Sequence, residues 1–245
     1  MKTDKIYVYG RHALKEALIN APQVVKKVFL AKSAEDQEIL ELLSKNKIAH
    51  SELTEDKKST VEGNGSHQGV IATIDTSLLL RDYKEFINNL KVTKDTMLVL
   101  LGEVQDPHNV GAVIRSAAAF GAQGVLIPEH KQAPVTGAVV KVSAGMAFKI
   151  PLITIGNVNQ TVEDLKKKGF YVYGLAGEGA KSLTEEKFED PTVLILGNES
   201  TGIREKTREH CDHLLSIPID PKCESLNAAV SASVALYAWS VRKSL

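Results

Sequence analysis

The chain has 245 residues, enough for one large domain or for a small domain followed by a medium one. With 43% hydrophobic and 24% charged side chains it matches ordinary folded proteins, which argues against disordered and fibrous classes, and no apolar run approaches the roughly 18 to 20 residues that span a bilayer. The formal net charge is zero, with 11 basic and 11 acidic side chains in the first 75 residues and 19 of each in the rest, so bulk electrostatics does not point to nucleic acid.

Met1-Lys2-Thr3-Asp4 is not followed by a signal-type apolar core, which makes the cytoplasm the expected compartment and a membrane an unexpected partner. Within Gly10 to Asn20, Ala13, Leu14, Ala17 and Leu18 share one helical face, and Pro22 stops the helix. Val24 to Leu30 reads as a strand. Ala34 to Asn46 is again helical through Ile39, Leu40, Leu42 and Leu43, and Val70 to Ile74 reads as a closing strand. A small α/β domain over residues 1–75 is expected, followed by a more polar linker over residues 76–95 with a short helix around Tyr83 to Leu90.

Residues 96–245 then alternate between two kinds of segment. Continuous apolar runs at Met97 to Leu101, Val125 to Ile127, Ile150 to Ile155, Phe170 to Leu175, Val193 to Leu196 and Leu214 to Ile219 suit strands buried on both faces. Between them lie helical patterns at Val110 to Phe120, Val135 to Met146, Val158 to Lys168, Arg204 to His210 and Leu226 to Val241. The alternation predicts an α/β fold with a mainly parallel sheet covered on both sides. Lys26 with Lys27, Lys57 with Lys58, and Lys166 to Lys168 are either local RNA contacts or solvated lysines on helix ends and turns.

Ligands of open parallel sheets bind beyond the carboxyl ends of the strands, so the segments after each apolar run are where chemistry is expected. The first is Gly102 to Arg115, in which Asn109 stands where a helix cap would and Arg115 falls among Ser116, Ala117, Ala118 and Ala119. An arginine on an alanine-rich face can meet a backbone or a phosphate; otherwise it faces solvent. The second is Gly197-Asn198-Glu199-Ser200-Thr201-Gly202, where two glycines let the backbone turn tightly around a carboxylate. The third is Ser225-Leu226-Asn227, with Ser225 as an expected N-cap, opening a helix of small residues that suits close approach to a second subunit or to another element of the same chain.

Other chemistries fit poorly. Gly177-Glu178-Gly179 is followed by Ser182 where a dinucleotide fingerprint needs glycine, and Ala180 stands where a P-loop needs lysine. His210, Cys211, His213 and Cys223 match no common zinc spacing, so no metal is expected, and the two cysteines read as free thiols.

Together the three segments resemble the signature motifs of the SpoU (TrmH-like) family of SPOUT RNA 2′-O-ribose methyltransferases. Asn109 and Arg115 match the first motif, Gly197, Asn198, Glu199 and Gly202 the second, and Ser225, Leu226 and Asn227 the third, with Ile217 and Pro218 in the strand between. Tyr9-Gly10-Arg11-His12-Ala13 and His67-Gln68-Gly69 are similar to the substrate-binding domain of bacterial 23S rRNA guanosine-2′-O-methyltransferases, so the likeness runs the length of the chain.

The resemblance implies a first domain like ribosomal protein L30e, a trefoil-knotted catalytic domain, and a homodimer with active sites near the subunit interface. It implies S-adenosylmethionine as cofactor, touching Leu175, Ala176, Gly197, Ile217, Ile219 and Leu226, and a catalytic set of Asn109, Arg115, Glu199, Ser225 and Asn227. Within that set, Arg115 acts nearest the hydroxyl, Asn109 and Asn227 orient hydroxyl and backbone, Glu199 fixes either Arg115 or the loop, and Ser225 caps the helix. The expected partner is 23S rRNA. A tRNA guanosine 2′-O-methyltransferase and a catalytically silent RNA-binding protein remain as alternatives, and the dedicated N-terminal domain favours rRNA over tRNA.

Overall fold

The computed structural model describes residues 5–54, 68–177 and 181–242. Lys57, Lys58, His67 and the run Glu178 to Ala180 lie outside the described residues. The chain forms two compact units, one comprising residues up to Leu80 together with Val135–Lys149, the other Arg81–Pro134 with Ile150–Leu245.

The first unit contains β1 (Lys5–Tyr9), α1 (Arg11–Asn20), β2 (Val25–Leu30), α2 (Gln37–Lys45), β3 (His50–Glu52) and β4 (Val70–Asp75). Its sheet runs β1-β4-β2-β3, with β4 antiparallel to both neighbours and β2 parallel to β3. Ala13, Leu14, Ala17 and Leu18 are the buried face of α1, as their spacing requires. The second helix starts three residues later than Ala34 because Asp36 caps it, accepting from the N–H groups of Glu38 and Ile39.

The other unit begins within β5 (Leu80–Asp82), and the chain continues through α3 (Tyr83–Asn89) and then alternates strands and helices: β6 (Met97–Leu101), α4 (Pro107–Ala119), β7 (Gly124–Pro128), α5 (Gly137–Val142), β8 (Leu152–Ile155), α6 (Val158–Lys167), β9 (Tyr171–Leu175), β10 (Lys181–Ser182), β11 (Thr192–Leu196), α7 (Glu205–His210), β12 (His213–Ser216) and α8 (Ala228–Val241). Of these, α5 belongs to the first unit, packed so closely on β1 that a Cβ at Gly137 would collide with the Tyr7 carbonyl.

The eight strands are ordered β10-β12-β9-β11-β6-β7-β8-β5, and every pair from β10 through β8 is parallel. All residues of β6, β7 and β11 are buried, as central strands covered on both faces demand. Each buried Leu, Ile or Val there contributes about 1.5–3 kcal/mol relative to exposure. The Tyr83 hydroxyl donates to Asp164 at 2.6 Å and fastens α3 to α6.

Two strand-to-strand routes leave the sheet centre in opposite directions. From β6 the chain passes to β7 on one side; from neighbouring β11 it passes to β12 on the other. That reversal lies between β6 and β11, and open α/β sheets hold ligands beyond the carboxyl ends of their strands near such a switch point.

Two elements are shorter than their apolar patterns suggest. The last strand stops at Ser216, before Pro218, which has no N–H to continue a ladder. The helix expected over Val135 to Met146 ends at Val142, where Gly145 takes a left-handed φ of 78° and starts a 3-10 turn.

Candidate active site

The loop after β6 crosses the loop after β11 at close range. Gly102 N–H donates to the Leu196 carbonyl at 2.6 Å, and a Cβ on Gly102 would lie 2.6 Å from that oxygen, so only glycine fits the crossing. Asp106, not Asn109, caps α4: its carboxylate accepts from His108 N–H at 2.8 Å, with Pro107 opening the helix. Asn109 is therefore displaced into the first turn, where it is buried at 7% exposure and turned inward.

After β11, Asn198 and Gly202 close a turn by two backbone hydrogen bonds of 3.0 and 2.9 Å. Asn198 Oδ1 accepts from the N–H groups of Ser200 and Thr201, and its Nδ2 donates to the Glu103 carbonyl at 2.9 Å. A Cβ on Gly197 would run into the backbone of Gly202 and Ile203, so the tight turn requires glycine there. This turn presents Glu199 to the neighbouring loop.

Glu199 holds that loop. Its Oε2 accepts from Gln105 N–H at 3.1 Å, and its Oε1 accepts from Asp106 N–H at 3.1 Å and from Asn109 Nδ2 at 3.0 Å. Partial burial opposes ionisation of the carboxyl, but the hydrogen bonds from Asn109 and from the Gln105 and Asp106 backbone outweigh it and keep the group below the ordinary glutamate range. An ionised carboxylate only accepts, which forces Asn109 to turn its NH2 toward Glu199 and its Oδ1 away. Asn227 Nδ2 donates to that Oδ1 at 3.0 Å, and Asn227 Oδ1 in turn accepts from Ala229 and Val230 N–H at 2.9 and 3.3 Å. One directional chain of hydrogen bonds thus runs from the N-terminus of α8 through Asn227 and Asn109 to Glu199.

Asn227 is accordingly the N-cap of α8, the position the sequence suggests for Ser225. Freed from that task, Ser225 lines a cleft with Glu199, at the carboxyl ends of the adjacent strands β12, β9 and β11. Its walls include Leu175, Ala176, Gly197, Ile217, Ile219 and Leu226, which are all six of the expected cofactor contacts. Asn109 and Asn227 do not line the cleft and are joined to it through Glu199, Asn109 directly and Asn227 through Asn109. Arg115 is not brought to the cleft: it is exposed on α4 and makes no hydrogen bond or ion pair to a described residue. Its neighbour Ser116 shares a 2.7 Å hydrogen bond with Ser233 on α8. Glu199 fixes the loop and not Arg115.

Glu224 also lines the cleft and was not among the expected residues; its only signal in the sequence is adjacency to Ser225. Gln105 carries no signal in the sequence: its bond to Glu199 is made by its main-chain N–H, which every residue but proline has. Among the described residues no group of three or more His, Cys, Asp and Glu side chains can hold a metal ion, and no helix is long and apolar enough to cross a membrane. Cys211 is a half-buried free thiol pushed up to about 11 by burial, and Cys223 is exposed.

Comparison with known proteins matches residues 96–237 to the SpoU rRNA Methylase family and residues 7–78 to RNA 2′-O ribose methyltransferase substrate binding. The chain is 36% identical over 235 residues to the 23S rRNA (guanosine-2′-O-)-methyltransferase RlmB of Pseudomonas syringae pv. tomato, covering 94% of this chain and 93% of that protein. It is 36% identical over 239 residues to the RlmB of Haemophilus influenzae, covering 94% and 95%. The fold is similar to that of the SpoU methyltransferase AviRb from Streptomyces viridochromogenes, a structure in complex with AdoMet, with a TM-score of 0.82 at 23% identity over 98% of this chain and 90% of that one.

Proposed function

The chain belongs to the SpoU rRNA Methylase family, and from that premise we propose that it transfers a methyl group from S-adenosylmethionine to the ribose 2′-hydroxyl of a guanosine in 23S rRNA. The observation that carries the reading is the hydrogen-bonded chain Asn227–Asn109–Glu199, which gathers three distant sequence segments into one wall beside a cleft.

The cleft suits the cofactor. Leucine, isoleucine and alanine side chains offer an apolar slot for an adenine ring, while the backbone N–H groups of Ile217, Ile219 and Leu226 have no hydrogen-bond partner among the described residues and are available to a ligand. When bound, the cofactor supplies an electrophilic methyl on a sulfonium. Leu175, Ala176, Gly197, Ile217, Ile219 and Leu226 would hold it.

The chain's own residues then divide the remaining work. Both oxygens of Glu199 are committed to three donors, so it is a poor proton acceptor and serves to fix the loop that faces the substrate. Asn109 and Asn227 lock that loop to α8. Arg115, whose guanidinium donors have no partner among the described residues, fits the role of holding an RNA phosphate and stabilising the developing alkoxide. Ser225 lies on the cleft wall, and its hydroxyl, without a partner among the described residues, can orient the reacting groups.

The reading extends to a homodimer and a trefoil knot. The dimer is supported by the exposed row Val230, Val234 and Tyr237 on one face of α8, 48%, 37% and 56% accessible, next to the helix that carries Arg115. The knot is supported by family membership and by the insertion of β11 between the earlier strands β9 and β6. A cytoplasmic location accords with an rRNA substrate. Incubation with labelled cofactor and separate rRNA and tRNA pools is the test: counts in 23S rRNA, blocked by a 2′-deoxy substitution, are expected, and counts confined to tRNA would refute the rRNA assignment.

A further inference from the structure

The loop that walls the first cleft with Gly197 to Gly202 continues into Ile203 and Arg204, which wall a second cleft. This second cleft spans the carboxyl ends of β6, β7 and β8, on the other flank of the reversal between β6 and β11. Its polar lining includes the side chains of His130, Lys131, Asn157, Asn159, Arg204 and Thr207. The one carboxylate, Glu103, is neutralised by Arg204, whose Nε and Nη2 approach its Oε2 at 2.9 and 2.7 Å. The side chains of Lys131 and His130 make no hydrogen bond or ion pair to a described residue. Asn157 Oδ1 accepts from Gln160 N–H and Asn159 Oδ1 accepts from the Thr207 hydroxyl, so the NH2 end of each asparagine has no partner among the described residues.

The backbone of this cleft is tied to the first. Glu103 and Lys131 have φ of 70° and 57°, a region that side chains other than glycine seldom enter. Gln105 Nε2 donates to both of their carbonyls, at 3.3 and 2.5 Å, while Gln105 N–H donates to Glu199. Gln132 brackets Val104 from the other side, accepting its N–H at 2.9 Å and donating to its carbonyl at 2.8 Å. The strained residues of the second cleft and the carboxylate of the first are therefore anchored on a single residue.

An acceptor-rich anion is the complement of free ammonium and amide donors around a neutralised carboxylate. The geometry points to a phosphate-binding subsite in which Lys131, His130 and the amides of Asn157 and Asn159 take a backbone phosphate of the RNA that carries the target ribose. The inference rests on the methyltransferase reading. It assigns the cleft a positioning role: grip on a flanking phosphate is transmitted through Gln105 to the Glu199 loop.

The test uses the full-length protein, a 23S rRNA transcript and filter binding over a range of salt concentrations. Lys131→Asn removes the cation while keeping a residue that tolerates positive φ. It is expected to weaken RNA binding about tenfold at low salt and to flatten the log–log salt dependence by about 0.7 to 0.9. Lys131→Arg restores both, and Lys84→Ala, the same charge loss on α3, changes neither. S-adenosylmethionine affinity by calorimetry stays at the wild-type value in every variant. Unchanged RNA affinity and salt slope in both Lys131→Asn and Lys131→Glu would overturn the subsite, as would a parallel loss of cofactor affinity, which marks a folding defect. A wild-type protein that binds cofactor but neither binds nor methylates rRNA would instead overturn the functional reading beneath it.

Discussion

Asn109 Nδ2 donates to Glu199 Oε1 at 3.0 Å across 90 positions of sequence, and the direction of that bond sets the orientation of every amide behind it. Because the carboxylate accepts only, Asn109 has one allowed orientation, and Asn227 inherits its own from Asn109. Such a network gives its members a joint effect larger than separate pairs would have.

Glu199→Gln tests that directionality. The new NH2 must face one of the three donors now served by the carboxylate, and flipping Asn109 in response sets its NH2 against that of Asn227. A loss of about 1–2 kcal/mol in urea unfolding is expected from the unmet donors, together with a fall in methyl transfer of at least about tenfold. Wild-type stability and turnover in this variant would show that the network carries no weight.

Acid should open the same network. Glu199 has a folded-state pKa below its unfolded value, so its contribution to stability is fully present above the unfolded value, near pH 4.3, and is lost as pH falls through the lower folded value. Unfolding free energies of wild type and Glu199→Gln should therefore converge as the medium is acidified below about pH 4. A constant gap down to strong acid would contradict the assignment.

Arg115→Ala is expected to abolish transfer and leave cofactor affinity nearly intact. Stability should shift by less than about 0.5 kcal/mol, because the side chain is exposed and makes no bond within the described chain. Arg115→Lys should also fail if the fork of guanidinium donors is what grips phosphate. Turnover retained by the purified alanine variant would remove Arg115 from the mechanism.

Gly197→Ala should cost both fold and cofactor. The added methyl meets the Gly202–Ile203 backbone, so the turn must open and Glu199 must move. A destabilisation of about 1–3 kcal/mol is expected in thermal or chemical unfolding, with cofactor binding weakened in calorimetry. A variant that binds as wild type would mean that the turn relaxes without consequence.

Tyr237→Glu probes the proposed second copy. Tyr237 is exposed beside Val230 and Val234, and its ring meets the edge of Phe120 at 5.8 Å. Sedimentation should report a dimer for wild type and a monomer for the variant; a wild-type monomer at micromolar concentration would rule out dimerisation through this face.

Much of the architecture is written in local pattern. Met97 to Leu101 and Thr192 to Leu196 are continuous apolar runs, and such runs have no stable home except strands covered on both faces. The short strands β3, β5 and β10 carry no such pattern, because two or three residues at a sheet edge are fixed by their neighbours and not by their own periodicity. The three motif segments were equally visible as residues, but their mutual contact was not.

Residue chemistry and spacing alone determined that Asn109, Glu199 and Asn227 fall in loops or helix starts beside buried strands, and that Gly197 and Gly202 let the backbone turn tightly around a carboxylate. Only the tertiary structure decided that Asp106 and Asn227, not Asn109 and Ser225, cap the two helices, that Arg115 stands apart within one chain, and that Gln105 links the two clefts. The physical reason is that a cap or a bridge is chosen by whichever polar group the folded backbone brings within hydrogen-bond reach, and that distance is a property of the packed sheet, not of position along the chain.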